Sequence, residues 1–138
     1  MKLTASEACL DVLIIEDDAA AAEIFEQILR EHGYGVRRAA DAESGIAQLE
    51  YEVPNAILMD LRLPTIDGLE LLRRIRAMAG LASVPVVVIT GDYLVDDEVV
   101  RQLVNLGAEI RFKPLWEEDL VRIVGGVLSN EASSQTAK

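Results

Sequence analysis

The chain has 138 residues, 51% of them hydrophobic, with 24 acidic against 13 basic side chains and a formal net charge of −11. That length and apolar content fit one domain with a real core and exclude a disordered chain. The charge opposes contact with nucleic-acid phosphates, no apolar run approaches the ~18 residues of a membrane helix, and the start MKLTASEACLD lacks a secretion signal's apolar segment. A cytoplasmic protein with no membrane or direct nucleic-acid partner is expected, and the single cysteine, Cys9, is a bystander that permits no internal disulfide.

In chain order, short apolar runs alternate with amphipathic segments. Residues 1–9 read as a leader. Asp11–Ile15 is a first buried strand, and Ala19–His32 a helix with Ile24, Phe25, Ile28 and Leu29 inward and Gly33 as its stop. Tyr34–Arg38 reads as a less apolar strand, and Asp41 caps a helix through Glu50 with Ile46 and Leu49 inward. After Pro54, the run Ala56–Met59 is the length of a fully buried strand and delivers Asp60 at its end. Asp67, with Glu70 three residues on, caps the next helix, which ends near Gly80 and carries Arg73, Arg74 and Arg76 on a solvated face.

Val84–Thr90 is the fourth strand. A helix from about Asp96 to Leu106, closed by Gly107, leads to a short strand near Glu109–Phe112 and a last helix from about Trp116 to Leu128. Residues 130–138 read as a polar tail after a domain spanning 10–129. Strict alternation with continuously apolar strands predicts an α/β fold: a doubly wound five-stranded parallel sheet, helices on both faces, joined by right-handed crossovers.

In such sheets ligands bind at the carboxyl edge of the strands, and the polar residues collect there. The first strand ends in Glu16-Asp17-Asp18, the third in Asp60, the fourth in Thr90-Gly91 and the fifth in Lys113-Pro114. Converging carboxylates repel one another unless a divalent cation joins them, and oxygen ligation by few side chains suits Mg2+. A cation held by carboxylates, an Asp free to attack, a hydroxyl and an ammonium are the parts that phosphoryl transfer needs. Asp60 is the expected acceptor. Asp18 is expected to cap the first helix, and His32, at that helix's far end, to carry no phosphate.

IIEDD, MDLRLPTIDG, VIT and FKP, in this order and on these elements, resemble the receiver domain of two-component response regulators, from about Val12 to Leu128. The resemblance implies the flavodoxin-like strand order 2-1-3-4-5 and a phosphoryl group taken by Asp60 from the histidine of a sensor histidine kinase or histidine phosphotransfer protein. It implies Mg2+ on Asp17, Asp60 and the Arg62 backbone carbonyl, with Glu16 acting through water. Thr90 and Lys113 then bind phosphoryl oxygens, Gly91 keeps the approach open, and Lys113-Pro114 is cis. Output passes to a downstream protein through the face of helix 4, strand 5 and helix 5, so the chain is a signalling phosphoacceptor rather than an enzyme in the ordinary sense.

The chain departs from the family at Ile110, where receivers often carry an aromatic residue, so Tyr93 or Trp116 is a candidate to supply that bulk. With no output domain after residue 138, a stand-alone receiver is expected over one belonging to a larger kinase or DNA-binding regulator. A flavodoxin-like electron carrier needs a hydroxyl- and glycine-rich phosphate loop where EDDAAAAE stands, and a Mg2+-dependent aspartyl-phosphate phosphatase needs a second Asp where Arg62 stands. Two finer expectations concern surfaces: Ala19–Ala22 as a kinase docking stripe, and Arg62 paired with Asp92 across the pocket mouth to slow hydrolysis.

Overall fold

The computed structural model describes residues 10–91 and 95–136. Five strands, β1 (Asp11–Ile15), β2 (Gly35–Ala39), β3 (Ala56–Asp60), β4 (Val86–Thr90) and β5 (Ala108–Phe112), alternate with α1 (Ala19–Glu31), α2 (Ala42–Tyr51), α3 (Gly68–Ala77), α4 (Asp97–Asn105) and α5 (Glu117–Thr136). All strand pairs are parallel, in the order 2-1-3-4-5. The leader, Cys9, Asp92 and Tyr93 lie outside the described residues.

Alternation along the strands builds two cores. Leu13, Ile15, Ile57, Met59, Val86 and Val88 face α2, α3 and α4, whereas Val12, Ile14, Leu58, Val87 and Ile89 face α1 and α5. The central strands are buried on both sides, which is why they read as unbroken apolar runs rather than as alternating ones. Fully buried side chains such as Leu72 and Ile75 on α3 each contribute roughly 1.5–3 kcal/mol by leaving water.

Helix ends follow the sequence. Asp18, Asp41, Asp67 and Asp96 each accept hydrogen bonds from first-turn amides as N-caps, and the Ser44 amide holds the Asp41 carboxyl below its usual range. Gly33, Gly80 and Gly107 take positive φ just past α1, α3 and α4, a conformation that costs other residues a Cβ clash.

Three expectations need correction. Ile24 is 55% exposed, because the inward stripe of α1 is Ala22, Phe25 and Leu29, with Ile28 partly covered. The solvated arginine face holds only for Arg73 and Arg74, which reach Glu70. Arg76 turns inward instead, donating to the carbonyls of Leu106, Leu81 and Val84 at 2.7, 3.0 and 2.7 Å. It thereby satisfies acceptors left open at the end of α4 and in the turn into β4. Finally, the last helix, read as ending near Leu128, continues as far as Thr136.

Candidate functional site

Strand register assembles the site. Ile15 pairs with Met59, Asp60 with Ile89, and Thr90 with Phe112, so the residues that end β1, β3, β4 and β5 emerge at one edge. Glu16, Asp60 and Thr90 are buried at 4%, 8% and 0% exposure, the only polar side chains so deep among the described residues, while Asp17 is exposed.

One carboxylate oxygen from each of Glu16, Asp17 and Asp60 lies within 4.8 Å of the others. Three like charges at that spacing repel strongly, and two devices reduce the cost. The Lys113 ammonium donates to Glu16 Oε1 and Asp60 Oδ2, each at 3.2 Å. Backbone amides supply the rest: Arg62 N–H donates to Asp60 Oδ1 at 3.0 Å, and Asp18 N–H to Glu16 Oε2 at 3.2 Å. Burial, with the Asp60 charge adding to it, nonetheless holds the Glu16 carboxyl above the usual glutamate value despite the Asp18 amide and Lys113. Burial on its own would lower the Lys113 ammonium, but Asp60 and Glu16 outweigh it and hold it above the usual lysine value.

The loops are fixed by backbone. Gly68 donates its N–H to Leu61 O at 2.7 Å, folding 61–68 back over the end of β3. A Cβ at Gly68 would sit 2.8 Å from Leu61 Cα and 3.0 Å from Asp60 O, so only glycine allows that approach. Lys113 N–H donates to Thr90 O at 2.8 Å, and the Lys113–Pro114 bond is cis. At Gly91 an added Cβ would make only ordinary contact, 3.9 Å from Lys113 Cδ.

Glu16, Asp17, Asp60 and Lys113 are thus brought together, with Thr90 and Arg62 on the adjoining strand and loop. Asp18 caps α1, and His32 lies at the opposite end of that helix, its Nδ1 donating to Ile28 O at 2.9 Å. Of the small-residue stripe on α1, Ala22 is 3% exposed and packed in the core, which removes it as a docking residue. Ile110 packs partly buried on the α2–α4 side of the sheet. The Arg62–Asp92 pairing falls outside the described residues. Reading the sequence missed Gly68; a glycine directly after a capping Asp was the available signal.

The model of the response regulator receiver domain matches residues 12–125. The chain belongs to this family. Receivers are signalling phosphoacceptors that bind Mg2+ through an acidic pocket, and phosphorylation-dependent signalling is their general function. The receiver is 28% identical to Protein PilH of Pseudomonas aeruginosa over 119 residues, covering 86% of this chain and 97% of PilH. It is 31% identical to the transcriptional regulatory protein PrrA of Mycobacterium tuberculosis over 127 residues, covering 91% of this chain but only 53% of PrrA. Among solved structures, a CheY-like receiver domain protein from Methanospirillum hungatei superposes with a TM-score of 0.83 at 30% identity, covering 90% of this chain and 97% of the other.

The donor set fits the family's cation. Three carboxylates offering one oxygen each, one of them exposed, form a hard, partly open site of the kind Mg2+ occupies while keeping several waters.

Proposed function

We propose that this receiver accepts a phosphoryl group on Asp60 from the phosphohistidine of a sensor histidine kinase or histidine phosphotransfer protein in the cytoplasm. So modified, it binds a downstream protein through α4, β5 and α5. The observation that carries this reading is the state of Asp60: a buried strand-end carboxylate oriented by the Arg62 amide and the Lys113 ammonium, with Glu16 and Asp17 beside it. An Asp60 oxygen attacks phosphorus in line, the P–O bond forms as the P–N bond breaks, and the imidazole leaves, taking up a proton. Asp17, Asp60 and the Arg62 carbonyl, with Glu16 acting through water, would hold Mg2+, which would supply charge neutralisation at the phosphoryl oxygens. Lys113 follows one of those oxygens as Asp60 becomes an acyl phosphate, and the Thr90 hydroxyl donates to another.

Output through β5 and α5 is supported by a hollow of ≈ 570 Å³ whose lining includes Phe112, Leu115, Ile123 and Val127 among charges of both signs. Among the described residues no helix is long and apolar enough to cross a membrane, and the net charge of −11 opposes nucleic acid. The test is labelling with a small-molecule phosphodonor. One phosphoryl group per chain is expected with Mg2+, none with a chelator and none in Asp60→Asn. Labelling that survives in Asp60→Asn, or that needs no divalent cation, overturns the assignment.

A further inference from the structure

The end of α2 carries a surface with no role in phosphoryl transfer. Tyr51, its last residue, is 81% exposed, and two hollows flank it. One, of ≈ 470 Å³, runs between Tyr51, Val53, Met78 and Ala79; the other, of ≈ 450 Å³, lies against Ser44, Ala47 and Gln48. A singly exposed apolar residue is ordinary, but an exposed aromatic ring between two hollows and beside an exposed valine forms a contiguous patch.

The charges around the patch choose its occupant. Glu50 and Glu52 both line the first hollow, both are exposed, and among the described residues neither side chain enters an ion pair. The nearby cation is already committed: Arg37 pairs with Asp11 at 2.8 Å and donates to the Gln48 and Glu52 carbonyls. The patch therefore presents an aromatic face and two uncompensated carboxylates. A planar guanidinium satisfies both at once, stacking on the ring while its N–H groups reach carboxylate oxygens. A second copy of a chain with a net charge of −11 is a poor occupant, since like charges meet.

We propose that this surface docks a basic segment of another protein, with an arginine on the Tyr51 ring between Glu50 and Glu52 and an aliphatic neighbour in the Val53–Met78 hollow. Its position separates it from the phosphoacceptor. Tyr51 precedes β3 by a short turn in which Asn55 N–H bonds Asp11 O at the amino edge of the sheet, and Asp60 ends β3 at the carboxyl edge. Five residues of strand, roughly 16 Å, lie between. Docking here leaves the acceptor open, so the partner is held in both phosphorylation states. The inference does not rest on phosphorylation of Asp60.

The experiment titrates the isotope-labelled chain with a short peptide alternating arginine and leucine, following backbone amide resonances, and repeats it with Tyr51→Ser, with Glu50→Gln/Glu52→Gln and with Asp60→Asn. Amide shifts gathered at Ala47, Tyr51, Val53 and Ala79 are expected, with affinity falling roughly fivefold to tenfold in the first two variants and unchanged in Asp60→Asn. Equal affinity in Tyr51→Ser overturns the proposal, as do shifts gathered at Glu16 and Asp17, which mark attraction to the acidic pocket alone. Concentration-dependent self-association that Tyr51→Ser abolishes makes the occupant a second copy and likewise overturns it.

Discussion

The two edges of the sheet handle buried charge in opposite ways. At the carboxyl edge three carboxylates gather, two of them on one ammonium, and the group with the deepest burial, Glu16, is pushed towards its neutral form. At the amino edge the guanidiniums are matched to what surrounds them: Arg37 to Asp11 and the end of α2, Arg76 to three carbonyls that join α3, α4 and the entry to β4. One edge keeps more negative charge than its single ammonium offsets. The other uses its partly buried guanidiniums to hold elements together, and the contrast separates functional from structural electrostatics among the buried charges of one sheet.

The sharpest way to break this contrast is to remove a cation from the amino edge. Arg76→Ala strands three carbonyl acceptors, and by the cost of leaving such groups unpaired it should lose on the order of 2–3 kcal/mol of unfolding free energy. Denaturant titration measures the loss, and Mg2+ affinity, read in the same variant, should stay unchanged. A variant as stable as the parent would show that water replaces the guanidinium and that the clamp is incidental.

At the carboxyl edge the order reverses, because the site improves when charge is added. Mg2+ should raise unfolding free energy by RT ln(1 + [L]/Kd), about 2.7 kcal/mol at a hundredfold excess over Kd, and Asp17→Asn should remove most of that gain without destabilising the metal-free protein. Thermal unfolding with and without Mg2+ tests both halves. A metal-free Asp17→Asn variant that is clearly less stable would place Asp17 with the structural charges instead.

The smallest effect is in pH dependence. Because the Glu16 carboxyl is held above the usual 4.5 in the folded chain, the folded state binds its proton more readily than the unfolded one. Its contribution to stability is greatest in acid and declines as pH rises from about 4.5 through the folded value, then stays level. Glu16→Gln should flatten that part of the metal-free stability profile, and an unaltered slope would assign the dependence elsewhere. Lys113 acts at the other end of the scale: its raised value adds stability that is complete below the usual 10.5 and is lost as pH rises through the folded value.

Periodicity and punctuation alone determined the five strands, the five helices, their caps at Asp18, Asp41 and Asp67, and the stops at Gly33 and Gly107. They did so because an apolar run, an N-cap and a positive-φ glycine are local needs that the chain meets with local residues. Asp60 and Thr90 were legible for a related reason, since β3 and β4, buried on both faces, carry a polar residue only at their ends. What the sequence could not decide was which way some side chains face around a helix axis and the distance between elements remote in the chain. Ile24 and Arg76 both follow the expected periodicity of their helices, yet the packing of α1 on the sheet turns the isoleucine outward, and open carbonyls in α4 and before β4 draw the arginine inward. Gly68 is needed only because the loop after β3 closes against Leu61, and Tyr51 is a bare surface ring although Met78 and Ala79, just past α3, lie along the hollow beside it. Such features are set by contacts between segments tens of residues apart, whose geometry exists only once the sheet has brought them together.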